Sequence, residues 1–258
     1  MTTPSLLLTE RQSLIQARLK ADGRVLALDL ARDLGVSEDT IRRDLRELAA
    51  QGLCRRVYGG ALPLPPEPGA LQQRQTEALD RKARLAQAVV TLCRPGQVWF
   101  IDAGSTNVAI AQALPEMPLT VVTNAPSVAA VLSGRQQLSL ILIGGVVDPR
   151  VGACLGARAL RDIEQLTPDL CVLGACGADA EAGLSATWFE EAEFKRSIAN
   201  RSRQVLAAVT DEKLATAAPY AIMPAHELDY LVLEHSGDAA QAQAFIQLGV
   251  QVLHAQAV

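Results

Sequence analysis

Aromatic side chains are scarce in this chain, at 3% of 258 residues, whereas Ala, Leu and Val are plentiful and the hydrophobic share reaches 49%. That balance disfavours an all-β sandwich, which leans on aromatic and β-branched residues, and suits helices packed on a parallel sheet. Long apolar runs are missing too: none approaches the roughly 18 residues that crossing a bilayer requires. No basic leader followed by an apolar stretch opens the chain, so a soluble, cytoplasmic protein with no membrane partner is expected. Paired cysteines are absent as well. Cys54, Cys93, Cys154, Cys171 and Cys176 are odd in number, scattered, and lack the C-x-x-C spacing of zinc or redox sites. Buried reduced thiols are expected, with no metal and no cofactor.

The formal net charge is only −4, which would argue against a polyanionic partner if it were evenly spread. It is not. Residues 1–61 hold ten Lys and Arg against eight acids, a net of +2, which leaves 14 against 20, a net of −6, for the remainder. The asymmetry places a polyanion-facing part at the N-terminal end and an acidic body behind it.

Pro63, Pro65, Pro66 and Pro68 crowd one short stretch, which forbids a regular helix there and favours an extended, semi-stiff connector. This divides the chain into a domain over 1–61, a proline-rich linker over 62–75 and a larger domain over 76–258. In the first, residues 10–21 read as a helix with Leu14, Ile15 and Leu19 on one face and Gly23 after it. Residues 28–34 read as a second helix stopped by Gly35, and a third follows Ser37. Beyond the linker, 98–101, 120–122, 138–143, 170–174, 205–209, 230–233 and 250–253 read as buried strands. Helical patterns such as 108–114, 127–132 and 189–201 separate most of them, which predicts a mostly parallel sheet covered on both faces and an α/β fold class.

In the third helix, Ile41, Leu45 and Leu48 fall at i, i+4 and i+7 and form one inward-packing apolar stripe. Ser37 is placed to cap it, with Glu38 and Asp39 in the first turn beside the positive end of the helix dipole. At about 100° per residue, Arg43 and Arg46 project nearly opposite the stripe with Arg42 beside them. Ahead of this helix, small Ala31 permits close crossing and Gly35 permits the tight turn. The spacing is that of a helix-turn-helix over about residues 26–45. Arginine suits its outer face because the guanidinium fork donates bidentately to guanine edges or phosphate oxygens. Residues 53–61 read as a wing: Leu53 and Val57 face inward, Gly59 and Gly60 turn the chain, and Arg55, Arg56 and the Tyr58 hydroxyl reach phosphates. A run of arginines alone would equally fit a solvated helix face. The helix pair, the cap and the basic wing together point to double-stranded DNA as the partner.

In the larger domain, the strand 98–101 runs into Asp102-Ala103-Gly104-Ser105-Thr106 and then a helical pattern. A glycine for close backbone approach, two hydroxyls and free helix N–H donors make an anion site; the same turn also serves as an ordinary helix cap. No G-x-x-x-x-G-K-[ST] or G-x-G-x-x-G is present there, so neither a nucleotide-hydrolysing nor a dinucleotide site is indicated. Thr123-Asn124, Gly144-Gly145, and Gly174 with Gly177 and Asp179 follow other strands, whose carboxyl ends share one crevice in a parallel sheet. Lys195 supplies a cation to that crevice, or else pairs with Glu191 at i, i+4 on a solvated face for about 0.2–0.5 kcal/mol.

Glu10-Arg11, Ile15, Leu19, Leu30-Ala31, Leu34-Gly-Val-Ser37, Thr40-Ile-Arg-Arg-Asp-Leu45, Gly52-Leu53, Arg55-Arg56 and Gly59-Gly-Ala61 resemble the N-terminal domain of the DeoR family of bacterial regulators. The loop at 102–106, Val121-Val-Thr-Asn124, Leu142-Ile-Gly-Gly145, Gly174-Ala-Cys-Gly177, Glu191-Ala-Glu-Phe-Lys-Arg196 and Thr210-Asp-Glu-Lys213 resemble its sensor domain, so the resemblance covers nearly the whole chain. It implies a winged helix-turn-helix followed by a sensor domain similar in fold to ribose-phosphate isomerases. It further implies Thr40, Arg42 and Arg43 in a recognition helix, and a repressor of carbohydrate metabolism acting as a homo-oligomer. The effector it implies is a small phosphorylated metabolite, a sugar phosphate, held by Asp102, Gly104, Ser105, Thr106, Asn124 and Lys195, with Gly144 and Gly145 beside them. Two departures stand out: Asp-Ala-Gly-Ser-Thr replaces the common Asp-Ser-Gly-Thr-Thr, and Asp148 stands near where the family carries a cation, which points to a less anionic ligand. The rival reading is an isomerase, with Asp102 or Asp179 as general base and Lys195 polarising a carbonyl.

Overall fold

The computed structural model describes residues 7–256 apart from Pro68 and Ala70. The N-terminal unit consists of α1 (Leu8–Asp22), β1 (Val25–Leu26), α2 (Ala27–Leu34), α3 (Glu38–Ala50), β2 (Arg55–Val57) and β3 (Gly60–Leu62). Ile15, Leu19, Leu30, Ala31, Ile41, Leu45 and Leu48 meet in its core. Leu14, expected on the buried face of α1, is 43% exposed. The buried stripe runs instead through Arg11, Ile15 and Leu19, at i, i+4 and i+8. Arg11 belongs there because it reaches α3: its Nη2 donates to Asp44 Oδ1 at 3.0 Å and its Nε donates to Asp44 Oδ2. This bidentate pair satisfies a carboxylate that is otherwise cut off from water.

The wing is a three-stranded antiparallel ribbon in the order β1-β3-β2. Its turn is made by Tyr58 and Gly59, and Gly60 is already strand, opposite Leu26. A Cβ at position 60 would sit 1.9 Å from the Val25 carbonyl oxygen. Glycine is therefore needed for the backbone contact with β1 rather than for the turn.

The connector leads from Leu62, fully buried in β3, to α4 (Leu71–Thr76) and α5 (Leu79–Val90). The larger domain continues with β4 (Val98–Ile101), α6 (Ser105–Ala113), β5 (Leu119–Thr123), α7 (Pro126–Leu132), β6 (Leu138–Leu142), β7 (Val146–Asp148), β8 (Ala153–Leu155), α8 (Ala157–Ile163) and β9 (Leu170–Leu173). It ends with β10 (Gly177–Asp179), β11 (Gly183–Ala186), α9 (Phe189–Ala199), β12 (Val205–Ala208), β13 (Tyr220–Met223), β14 (Tyr230–Leu233), α10 (Ala239–Gln247) and β15 (Gln251–His254).

All seven expected strands form, and they make one parallel sheet in the order β15-β14-β12-β9-β4-β5-β6, but only the five inner strands are buried, since β6 and β15 are edges and remain part-exposed. Period-2 alternation splits their side chains between two cores. Trp99 and Ile101 pack with α5, α6 and α7, whereas Phe100 faces the opposite core with Phe194 of α9 and Phe245 of α10. The hairpin β7–β8 and the small antiparallel sheet β10-β11-β13 lie outside this pattern. β9 is central, and its C-terminal end adjoins that of β4. Among the described residues no helix is long and apolar enough to cross a membrane.

Removing Arg11 strands a buried carboxylate. Arg11→Ala is expected to destabilise the N-terminal unit by about 3 kcal/mol, whereas Arg11→Met combined with Asp44→Leu should recover most of that loss. Chemical denaturation followed by circular dichroism measures both, and equal stability of Arg11→Ala and wild type would refute the assignment.

Candidate functional site

The outer face of α3 gathers the first group of expected residues. Ser37 is the N-cap, accepting from Thr40 N at 3.2 Å, and the two hydroxyls lie 2.8 Å apart. Arg42 pairs with Glu38 at 2.8 Å and Arg43 approaches Glu47 at 3.5 Å, both arginines being exposed, as is Arg46. Such i, i+4 pairs on a wet surface are weak and exchange readily for another anion. Arg55 and Arg56 are exposed on β2, and the Tyr58 side chain at the turn is almost wholly free, at 95%. The wing also faces the larger domain. Arg55, Arg56 and Tyr58 line one side of a cleft whose other side holds Glu181, Ala182 and Ala218, and Arg24 forms an ion pair with Glu181.

At the carboxyl ends of the strands lies a cavity of about 430 Å³. Its floor is the loop between β4 and α6 together with the end of β9. Gly104, Ser105 and Thr106 line it, and α6 starts there without a side-chain cap. Its first i to i−4 bond is Val108 N to Gly104 O, so the N–H groups of the first turn have no partner within the helix.

Beneath the floor, Lys195 of α9 is 3% exposed and donates to Glu191 Oε1 at 2.5 Å and Gly174 O at 2.6 Å, with Asp102 Oδ2 at 3.3 Å. Asp102 in turn accepts from Gly174 N at 3.0 Å. Burial acts to lower the lysine pKa, but the Asp102 and Glu191 carboxylates outweigh it and hold the ammonium above its ordinary value. For Asp102, burial pushes the carboxyl up and Lys195 opposes it. The i, i+4 partnership of Lys195 with Glu191 thus exists, but both groups are buried rather than solvated. A Cβ at Gly174 would fall 2.4 Å from Ala103 O and 3.4 Å from Lys195 Nζ; the loop closes on the lysine only because that position is glycine.

Gly104, Ser105, Thr106 and Lys195 therefore meet at the cavity, with Asp102 supporting them. Asn124, Gly144 and Gly145 do not line it. Asn124 is fully buried, donates to Cys154 O at 3.3 Å and its carbonyl accepts from Cys154 N at 2.8 Å, joining the end of β5 to β8, and a Cβ at Gly145 would lie 3.7 Å from Cys154 Cβ. Asp148 is also outside the lining. It grips Arg150 at 2.5 Å, and Arg150 enters the cavity stacked on Trp188, its guanidinium carbon 4.4 Å from the ring centroid. Asp148 is thus paired with Arg150, and of the two it is the cation that lines the cavity.

Sequence reasoning missed Arg74, Arg81, Lys82, Arg150 and Lys213, all of which line the cavity. The pair Arg81-Lys82 opening the amphipathic helix α5, and the Thr210-Asp-Glu-Lys213 segment, were the available signals. Lys213 donates to Ala175 O at 2.9 Å and Lys82 to Glu77 O at 2.6 Å and to Arg74 O. Burial holds both lysines below the usual range. Four cysteines are buried as expected, while Cys176 is half-buried at the cavity. Among the described residues no cluster of three or more His, Cys, Asp or Glu is placed to hold a metal.

Comparison with known proteins agrees with both halves of this arrangement. Residues 11–64 match the DeoR-like helix-turn-helix domain and residues 77–235 match the DeoR C terminal sensor domain. The HTH-type transcriptional regulator GolR of Listeria innocua is 30% identical over 246 residues, covering 94% of this chain and 97% of its own. The glycerol-3-phosphate regulon repressor of Escherichia coli is 35% identical over 207 residues, covering 80% and 82%. The HTH-type transcriptional repressor GlcR of Bacillus subtilis is 27% identical over 247 residues, covering 95% of each. An exposed arginine-bearing helix ahead of a cation-lined cavity, matched over both domains, makes this chain a member of the DeoR family of DNA-binding transcriptional regulators.

Proposed function

We propose that the chain represses carbohydrate-metabolism genes, binding operator DNA as a homo-oligomer through α3 and the wing, and that a sugar phosphate in the cavity controls it. The observation carrying this reading is the meeting of an uncapped helix N-terminus, two hydroxyls and several cations in one cavity. A phosphate accepts hydrogen bonds from the first-turn N–H groups while the lysines offset its charge. Relatives support the class: one is named for the regulon of glycerol 3-phosphate, a phosphorylated polyol. The proposed DNA-contacting residues are Ser37, Thr40, Arg42, Arg43, Arg46, Arg55, Arg56 and Tyr58, all on α3 or the wing.

Occupancy reaches the DNA-binding unit through the connector. Pro66, Glu67 and Gly69, with Gln73 and Arg74 of α4, form a wall of the cavity, so the ligand touches the segment that leads back to β3. Ligand binding acts on DNA binding only as far as it favours one connector placement. Moving the balance from 1:99 to 99:1 takes roughly 5.5 kcal/mol of differential binding.

The isomerase reading has weaker support. Asp179 accepts from Glu181 N and Ala182 N in a turn and does not line the cavity, and Asp102 is committed to Lys195 and Gly174 N. Both acids hold structure, and the reading adopted is a binding site without turnover.

Thermal-shift screening against sugar phosphates and their unphosphorylated parents tests the ligand class. A phosphorylated compound at 100 times its Kd should add about 2.7 kcal/mol of stability. Ser105→Ala should weaken that response, and a shift with parents alone would overturn the phosphate assignment. Affinity should also fall with rising pH earlier than an ordinary lysine would dictate, because the Lys213 cation is lost at its lowered pKa. Calorimetric titration should show this fall in wild type and a flatter profile in Lys213→Gln. On the DNA side, Arg43→Ala is expected to cost about 1–3 kcal/mol on the operator if Arg43 reads a base, and a uniform loss on all DNA would make it a phosphate contact. Retardation assays on operator and unrelated duplexes separate these, and no loss on either would remove α3 from the interface.

A further inference from the structure

Six cations line the cavity against the four carboxylates of Glu67, Glu77, Glu191 and Glu212, and three of those cations are left without an ion pair among the described residues. Arg74, Lys82 and Lys213 have no carboxylate within ion-pair distance among the described residues and donate to backbone carbonyls. Arg81 is held by Glu234 at 2.5 Å and Glu212 at 2.7 Å, and Lys195 by Glu191. Gathering uncompensated cations in a partly dehydrated cavity is costly unless a ligand supplies the counter-charge. A phosphomonoester brings about two negative charges at neutral pH, and the α6 N-terminus already takes a share of them.

Arg150 stands apart from that cluster, on the turn after β7. Asp148 takes Nε at 3.0 Å and Nη2 at 2.5 Å, and Trp188 lies under the guanidinium plane. Fixed on one edge and on one face, the fork is set before any ligand arrives, and its preferred partner is a planar anion. The counter-acid Asp148 is outside the cavity lining.

Resting on the reading of this cavity as the effector site, we infer that the effector carries a second anion besides its phosphate, in the manner of a phosphorylated sugar acid. Its phosphate lies at the α6 N-terminus and its carboxylate meets Arg150, which is the specificity-determining residue.

Two pairs of compounds that share a skeleton test this: glucitol 6-phosphate with 6-phosphogluconate, and glycerol 3-phosphate with 3-phosphoglycerate, with inorganic phosphate as the reference. Calorimetry on the full chain is expected to show at least about a tenfold preference for the carboxylated member of a pair. In Arg150→Gln that preference should shrink to about twofold, with affinity for the phosphate-only member nearly unchanged. The side chain is half exposed, so the variant should fold, and an unchanged melting temperature confirms it. Equal affinities within both pairs, or a preference that survives Arg150→Gln, would overturn the inference and leave the phosphate site standing. Binding of none of the phosphates, inorganic phosphate included, would remove the underlying site and the inference with it.

Discussion

One buried ammonium holds the sensor cavity in shape. Lys195 reaches from α9 to the ends of β4 and β9 at once, bonding Gly174 O and facing Asp102 and Glu191. Burial disfavours the lysine's charge, and the two carboxylates facing it more than offset that cost. The group that binds the loop together also sets the direction in which α6 starts, because Asp102 accepts from Gly174 N and lies just before the helix. Positioning and electrostatics therefore share one set of atoms, and the cavity floor above rests on the buried trio below.

The walls above that floor come from other parts of the chain and differ in rigidity. Arg150 is clamped by Asp148 and Trp188. Arg81 is anchored to Glu234 at the end of β14. Arg74 is carried on α4, a short helix at the end of the connector, and donates to Gly69 O. A ligand that draws in Arg74 acts on the segment that continues the connector, whereas contacts to Arg81 act on a group tied to the end of β14. Differential binding of this kind is the requirement for any ligand-driven shift between states.

Much of the fold was legible in the sequence because it rests on long-lived regularities. The seven strands of the large sheet announce themselves as short apolar runs, although β6 and β15 at its edges are part-exposed rather than buried, and Ile41, Leu45 and Leu48 follow the helical period closely. The parts that were not legible break those rules for local reasons. Arg11 occupies a core position because its partner Asp44 lies 33 residues away, a pairing that no local pattern reveals. β7, β10 and β11 carry Asp148, Gly177, Asp179, Gly183 and Ser185 in place of an unbroken apolar run, so the pattern that marks the other strands is missing. In the cavity, the 102–106 loop was readable from its glycine and hydroxyls next to a strand end. Arg74 and Lys82 were not, because their roles depend on where the connector is laid across the sheet. Asp148 is a similar case: its charge is spent on a neighbour two residues away.

The contact between Gly60 and β1 bears on how any signal is delivered. β1 leads directly into α2, and Ala27 N donates to Gly59 O at 2.7 Å, so the ribbon and the helix pair are stitched together at the point where the first ends and the second begins. Arg11 and Asp44 fasten the remaining helix to α3 in the same unit. A body tied in this way has little room to bend internally. Under the proposed function, a signal carried along the connector would arrive as travel of this whole unit rather than as a change of shape within it.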